Sequence, residues 1–233
     1  MIGILSDAHG NRPAFDLSIK ILRHHGAEKF FFLGDAVGYI PTLGVISAIQ
    51  ELGAAISCIR GNHEDILIKE KFDPSREAVY QHKTTKGNMN VNSRDFVITW
   101  PTELSLEFKA GNALFIHGSP QDHTYGYVYA DTDLGVFSVN EQFVFMGNTH
   151  RPFIRQHKGS TFINTGSCGM PRDHGALGSI VLFNDQTGHI RILRFDIQRE
   201  IQEAVEATGQ VHPSVKNLFN RRTQKFEGEI VDN

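Results

Sequence analysis

The sequence is poor in cysteine: Cys58 and Cys168 are the only two thiols among 233 residues. They do not make a disulfide framework and are too few for a thiolate-built structural zinc site. No apolar run approaches the ~18 residues a spanning helix requires. A basic excess is also missing. The formal net charge is −3, which argues against a bulk duplex-DNA binder with its basic face. Internal repeats and low-complexity segments are absent. The first apolar run begins at Met1, which leaves no room for a signal peptide. These absences predict a reduced, cytoplasmic protein without a membrane or duplex nucleic-acid partner. They say nothing about oligomeric state.

What is present is a set of short apolar runs that end alike. Phe30-Phe31-Phe32-Leu33 stops at Gly34 and is followed by Asp35. A short run rich in aromatics reads as a buried strand, and its carboxyl end is where open α/β sheets place ligands. Ile2–Leu5 leads to Asp7 and His9, Ile56–Ile59 to Asn62 and His63, and Ala113–Ile116 to His117. Phe143–Met146 leads to Gly147-Asn148-Thr149-His150. Five strands tipped by Asp, His or Asn imply one shared site. Because the tips run from residue 7 to residue 150, a domain boundary between them would split it. The expectation is one domain over 1–233, with a helical insertion at about 64–100 and a C-terminal helical tail from about 197.

Between the first strands lie two helical patterns. Pro13 can open the first, Phe15, Ile19 and Leu22 recur at helical spacing, and Gly26 closes it. Val45, Ile46, Ile49 and Leu52 mark the second, which stops at Gly53. Strand–helix alternation predicts parallel strands with right-handed crossovers. From Glu64 to Trp100 the pattern turns polar and weakly helical around Asp65–Lys71 and Arg76–Lys83, with Asn88–Asn92 as loop or helix cap. Further strands are expected at Leu104–Phe108, Phe153–Gln156, Thr161–Asn164, Ser179–Phe183 and Ile190–Phe195. Gly111-Asn112 and Asp185–Gly188 serve as hairpin turns. Many short strands at close spacing suggest a second, more antiparallel sheet packed on the first. Residues 197–208 read as a polar helix, and the tail from Gln210 carries little signal.

The tips offer Asp7, His9, Asp35, Asn62, His117 and His150. Mixed carboxylate and imidazole donors suit divalent manganese, iron, zinc or nickel. Six ligands exceed what one catalytic ion uses while keeping an open position, so two ions sharing a carboxylate is the economical reading. Such pairs clamp the attacking and leaving oxygens of a displacement at phosphorus.

Asp7-Ala8-His9, Gly34–Gly38, Gly61-Asn62-His63-Glu64, His117-Gly118 and Gly147–His150 resemble, in order and spacing, the five motifs of calcineurin-like metallophosphoesterases. Gly38-Tyr39 with Pro41, Phe72-Asp73-Pro74, and Gly166-Ser167 with Gly169 and Pro171-Arg172 resemble the small bacterial and archaeal phosphodiesterase branch. The resemblance covers residues 1 to about 195. It implies an α/β fold of two packed mixed β-sheets flanked by helices, a four-layer sandwich. It implies two divalent ions, manganese first, with iron, zinc, nickel or magnesium as alternatives. Asp7, His9 and His150 would hold the first ion, Asp35 would bridge, and Asn62 and His117 would hold the second. Asn148 stands where the family usually has a histidine ligand. His63 resembles the histidine that contacts phosphate and protonates the leaving group. The implied activity is hydrolysis of a phosphodiester or nucleotide-like small molecule. A phosphomonoesterase or protein phosphatase is the alternative, or a weakly catalytic scaffold such as a retromer coat subunit.

Other residues carry weaker expectations. Asn11 either points at substrate phosphate or holds the first loop. Arg172 is the best candidate for a substrate-side cation. Tyr125, Tyr127 and Tyr129 could stack on a base, although packing on the insertion is the favoured reading. His82, with the other histidines outside the motifs, is assigned to core or surface. Cys168 is assigned no role.

Overall fold

The run Phe30–Leu33 is buried on both faces, and this sets the layering. Phe30 and Phe32 join a core with the helices, whereas Phe31 and Leu33 face a second sheet. The computed structural model describes residues 1–223 and 226–233, so the part of the weakly patterned tail at positions 224 and 225 lies outside the described residues. In chain order the strands are β1 (Ile2–Leu5), β2 (Lys29–Phe32), β3 (Ile56–Cys58), β4 (Glu103–Phe108), β5 (Gly111–Ile116) and β6 (Phe143–Met146). They continue as β7 (Phe153–His157), β8 (Ser160–Asn164), β9 (Leu177–Phe183), β10 (Ile190–Asp196) and β11 (Glu229–Ile230). The first sheet has the order β11-β10-β9-β1-β2-β3 and the second β4-β5-β6-β8-β7. Both are mixed: β1–β2–β3 and β5–β6–β8 pair parallel, while β1–β9, β9–β10, β4–β5 and β7–β8 pair antiparallel. This is the fold class expected from the sequence.

Phe31 stacks on Phe115 across the sheets at 4.4 Å between ring centroids, and Phe145 and Phe183 complete that core. Truncating such a buried ring to Ala costs roughly 3–5 kcal/mol. The outer face of the first sheet is covered by α1 (Arg12–His24), α2 (Gly44–Leu52) and α7 (Gln198–Thr208). Val128 and Leu134, from the long loop after β5, cover the outer face of the second. α1 starts where Asn11 Oδ1 accepts from the Ala14 amide at 3.1 Å, with Pro13 in the first turn, and Gly26 follows its end at φ 85°.

Residues 62–98 form four short helices, α3 (Asn62–Lys69), α4 (Glu77–Tyr80), α5 (His82–Asn88) and α6 (Val91–Ile98). α3 starts three residues before the sequence pattern suggests, because the Glu64 side chain reaches back to the Gly61 amide at 2.9 Å. Asn90 within the expected loop or cap is the N-cap of α6, its Oδ1 accepting from the Ser93 amide at 2.8 Å.

The β4–β5 hairpin corrects one expectation. Phe108 pairs with Gly111, so the turn is Lys109-Ala110 and Gly111 begins the returning strand at φ 134°. The glycine is needed directly after the turn rather than in it. The tail also holds more structure than its composition suggests, namely α8 (Pro213–Phe219) and the short β11 beside β10.

Candidate metal centre

β1, β2 and β3 are neighbours in one sheet, β5 and β6 in the other, and all five end at the same place. The loops leave their strands abruptly. Asp7, His9, Asp35, Asn148 and His150 all take left-handed backbone, with φ between 48° and 64°. Each such non-glycine residue costs of order 1–3 kcal/mol and persists only where its surroundings hold it. Here the loops brace one another: the Asp7 amide donates to Gly34 O and the His9 amide to Asp35 O, both at 3.0 Å. Glu64 braces them further, its carboxylate accepting from the amides of Asp35, Ala36 and Gly61 at 2.8–2.9 Å. Gly61 itself leaves no room for a side chain, because a Cβ would lie 2.2 Å from Asp35 Oδ1.

The side chains meet in one buried cluster. His150 Nε2 lies 3.2 Å from Asp7 Oδ1, and His9 Nε2 lies 3.7 Å from it. Asp35 Oδ2 is 3.4 Å from His117 Nε2, 3.6 Å from His9 Nε2 and 4.0 Å from His63 Nε2. Asn62 Oδ1 is 3.0 Å from His117 Nε2. Among the described residues three sets of donor atoms lie within 4.8 Å of one another: Asp7, His9 and His150; His9, Asp35 and His63; and Asp7, Asp35 and His117.

Three imidazoles are pinned the same way. Nδ1 of His9, His117 and His150 bonds the carbonyls of Val37, Leu33 and Met170 at 2.9, 2.7 and 2.5 Å. A carbonyl accepts only, so each Nδ1 carries a proton and each Nε2 turns toward the carboxylates. This is the arrangement that orients histidine as a metal ligand. Asp7 Oδ1 is buried with no hydrogen-bond partner. An orphaned carboxylate oxygen among three aimed imidazoles is a donor set that fits divalent cations.

The electrostatics agree. Burial opposes the Asp7 charge, but His150, His9 and His117 outweigh it and hold the carboxyl well below its usual range. Asp35 is lowered in the same way, by His117 and His63 against burial. Burial also opposes a charge on His117, yet Asp35 pushes that imidazole up to about 10. His150 is brought down to about 4 by burial and by Arg172, and His63 is lowered by burial.

The other expected residues fall as follows. His63 stands beside Asp35, its amide donating to Asp35 Oδ1 at 2.9 Å and its ring packed among Tyr39, Tyr80 and His82. Gly38 at φ 92° is required there, since a Cβ would meet His63 Nδ1 at 2.0 Å. Asn148 is buried, but its Nδ2 donates to Gly126 O at 2.8 Å and its amide to Asp7 Oδ2 at 3.1 Å. Asn11 is fully buried; its Oδ1 caps α1 and its Nδ2 donates to Gly169 O at 3.1 Å, which is the loop-holding task. Arg172 reaches the site's wall, its Nη2 donating to Tyr39 Oη at 2.8 Å. Tyr125 Oη donates to Asp65 Oδ2 at 2.7 Å and so ties its loop to α3, whereas Tyr127 and Tyr129 remain partly exposed.

Sequence reasoning missed two residues. Glu64 follows the Gly61 N-cap by three positions, a capping-box signal that was available. His82 is buried, with Nε2 2.9 Å from His63 Nδ1, and no local motif points to it.

Comparisons with known proteins bear on the family and the fold. Residues 1–188 match the model of the calcineurin-like phosphoesterase superfamily domain. Phosphodiesterase YfcE of Escherichia coli is 24% identical over 191 residues, covering 78% of this chain and 91% of that one. A metallophosphoesterase from Sphaerobacter thermophilus superposes with a TM-score of 0.75 at 22% identity, over 94% of this chain and 97% of its own. The hypothetical protein PH1004 from Pyrococcus horikoshii superposes at 0.80 with 18% identity, over 96% and 100%. With a family match over most of its length and the cluster in place at the strand ends, the chain belongs to the calcineurin-like phosphoesterase superfamily.

Proposed function

We propose that this protein is a metal-dependent phosphodiesterase acting on a small phosphodiester or nucleotide-like substrate with two divalent ions, manganese first among them. One observation carries the reading: three imidazoles pinned through Nδ1 aim Nε2 at two ionised carboxylates, one of which has an orphaned oxygen. Asp7, His9 and His150 would hold one ion, Asn62 and His117 the other, and Asp35 both. Bound there, divalent ions polarise phosphoryl oxygens and make a nucleophile available at neutral pH.

The chain's own groups do the rest. His63 Nε2 faces the cluster beside Asp35; in this reading it would hold a phosphoryl oxygen and, once the anionic phosphate has favoured its imidazolium form, would pass a proton to the leaving oxygen and return to neutral imidazole. Burial keeps His63 neutral in the metal-free protein, so it serves first as an N–H donor. Arg172, on Tyr39, supplies positive charge at the rim. No helix among the described residues is long and apolar enough to cross a membrane, and a cytoplasmic setting is part of the proposal.

The test is metal analysis of the purified protein together with hydrolysis of bis(p-nitrophenyl) phosphate and p-nitrophenyl phosphate with and without manganese. Metal-dependent turnover that favours the diester supports the reading. Preference for the monoester moves it to a phosphomonoesterase. Stoichiometric metal without turnover of either moves it to a scaffold.

A further inference from the structure

Beside the buried cluster the surface opens into a groove. One lobe, of about 760 Å³, is lined by Tyr129, Thr149 and Arg151 among others. The next, of about 520 Å³, is lined by Arg151, Arg172, Asp173, Arg221, Arg222 and Thr223. The lobes share Arg151, Arg172 and Asp173. Two of the arginines belong to the metal centre's own wall. Arg151 follows His150 in the chain, and the Arg172 amide donates to His150 O at 3.1 Å.

The charge of the second lobe is unbalanced. Among the described residues, no carboxylate lies within ion-pair distance of the guanidinium of Arg151, Arg172, Arg221 or Arg222, which is also true of Arg23, Arg76, Arg94, Arg155 and Arg199; what sets the four apart is that they line one lobe. The acid in the lobe, Asp173, is already engaged. Both its oxygens accept from the fully buried Arg194, at 2.6 and 3.1 Å. The second lobe therefore gathers four guanidiniums around one carboxylate that is already engaged; Arg222 also donates to Phe219 O and Arg221 O at 2.8 Å, and Asp131 and Glu227 line the first lobe. Guanidinium is the side chain suited to bidentate binding of phosphate oxygens. One phosphate engages one or two such groups. Four of them in a lobe that Arg172 joins to the cluster's wall match a row of phosphates.

We propose that this groove is a binding subsite for a linear oligophosphate chain, so that substrates carry further phosphoryl groups beyond the one at the metal centre. The proposal rests on the phosphoesterase reading for its catalytic end. The oligophosphate itself is either inorganic or attached to a nucleoside, and Tyr129 at the groove's edge is the residue a nucleoside would meet.

The test separates the groove from the metals. Inorganic tripolyphosphate and orthophosphate are titrated calorimetrically into metal-free protein, wild type and the double variant Arg151→Ala/Arg221→Ala. Arg199→Ala on the exposed side of α7 is the control, and thermal melts verify that each variant is folded. Tripolyphosphate should bind about tenfold or more tightly than orthophosphate, weaken with added salt, and lose that advantage in the double variant only. Equal binding of the two anions, or a folded double variant that binds as wild type does, overturns the proposal. Adenosine triphosphate binding more tightly than tripolyphosphate, with the excess lost in Tyr129→Ala, identifies a nucleoside-linked chain; equal binding identifies the bare chain. Failure of the protein to hydrolyse any phosphoester while tripolyphosphate binding is intact sinks the phosphoesterase reading and leaves the anion site standing.

Discussion

His82 Nε2 lies 2.9 Å from His63 Nδ1 and fixes which nitrogen of His63 faces the cluster. The two rings come from α5 and α3, 19 residues apart. Burial lowers the pKa of both, that of His82 to about 4, so both are neutral near pH 7 and one proton serves the bond. With His82 as the donor, His63 keeps its own proton on Nε2, beside Asp35.

His82→Ala should therefore lower kcat by about tenfold or more, by analogy with other outer-shell losses, while metal content and KM stay close to wild type. His82→Gln, whose amide can still donate, should restore much of the rate. His63→Ala should cost more, roughly 10²–10⁴-fold. Steady-state kinetics with metal analysis checks all three. Equal kcat in His82→Ala and wild type would remove the positioning role.

Asn148 should make the second ion the weaker one, because an amide oxygen is a poorer donor than imidazole to borderline metals. Asn148→His should tighten that site by about tenfold or more. It should also cost about 1 kcal/mol of metal-free stability, because the bond from Asn148 Nδ2 to Gly126 O is lost. Manganese titration and urea unfolding measure the two effects. Unchanged affinity would show that Asn148 lies outside the second ion's reach.

Metal binding should release a proton. Asp35 pushes His117 up to about 10 against the opposing effect of burial, so the metal-free imidazole is charged at neutral pH. Its ion pair supports the metal-free fold fully below the ordinary histidine pKa of about 6.5. That support is lost as pH rises through about 10. A metal needs the neutral ring, so affinity should rise with pH over that same window. Calorimetry in buffers of different ionisation enthalpy reads the proton directly; buffer-independent heats would contradict the assignment.

Glu64→Gln should destabilise the metal-free protein by roughly 1–3 kcal/mol. The side chain receives only donors, from Asp35, Ala36 and Gly61. An amide NH₂ turned toward any of them replaces an acceptor with a donor. Denaturant unfolding measures the loss, and a wild-type midpoint would show that the loops stand without the clamp.

The strands and the residues that meet in the buried Asp–His cluster were legible in the sequence because both depend on local pattern. Phe30–Leu33 and Phe143–Met146 could be read from their own residues, and each tip follows its strand directly. The hairpin at Lys109-Ala110 was misplaced by two residues because glycine marks the need for a positive φ, not which side of a turn needs it. His82 and Arg151 were not legible. What matters about them is a neighbour far away in sequence, and neither sits in a repeated pattern. The short helices α5 and α8 fall inside the expected helical insertion and helical tail but were not delimited individually, since seven residues hold too few turns to show a period.

The tail is anchored against the loop between β8 and β9 and along β10. The Gly175 amide donates to Arg221 O at 2.9 Å, Arg194 Nη1 donates to Glu227 O at 3.1 Å, and β11 lies along β10 at the sheet's far edge. Arg221 and Arg222 thus come from beyond residue 188, where the family match stops, while every residue of the buried Asp–His cluster lies before it. Of the four groove arginines, Arg151 and Arg172 come from the matched length and Arg221 and Arg222 from beyond it. Exchanging the residues after 188 between relatives should therefore change oligophosphate affinity through Arg221 and Arg222 alone, while the buried Asp–His cluster, Arg151 and Arg172 stay in place.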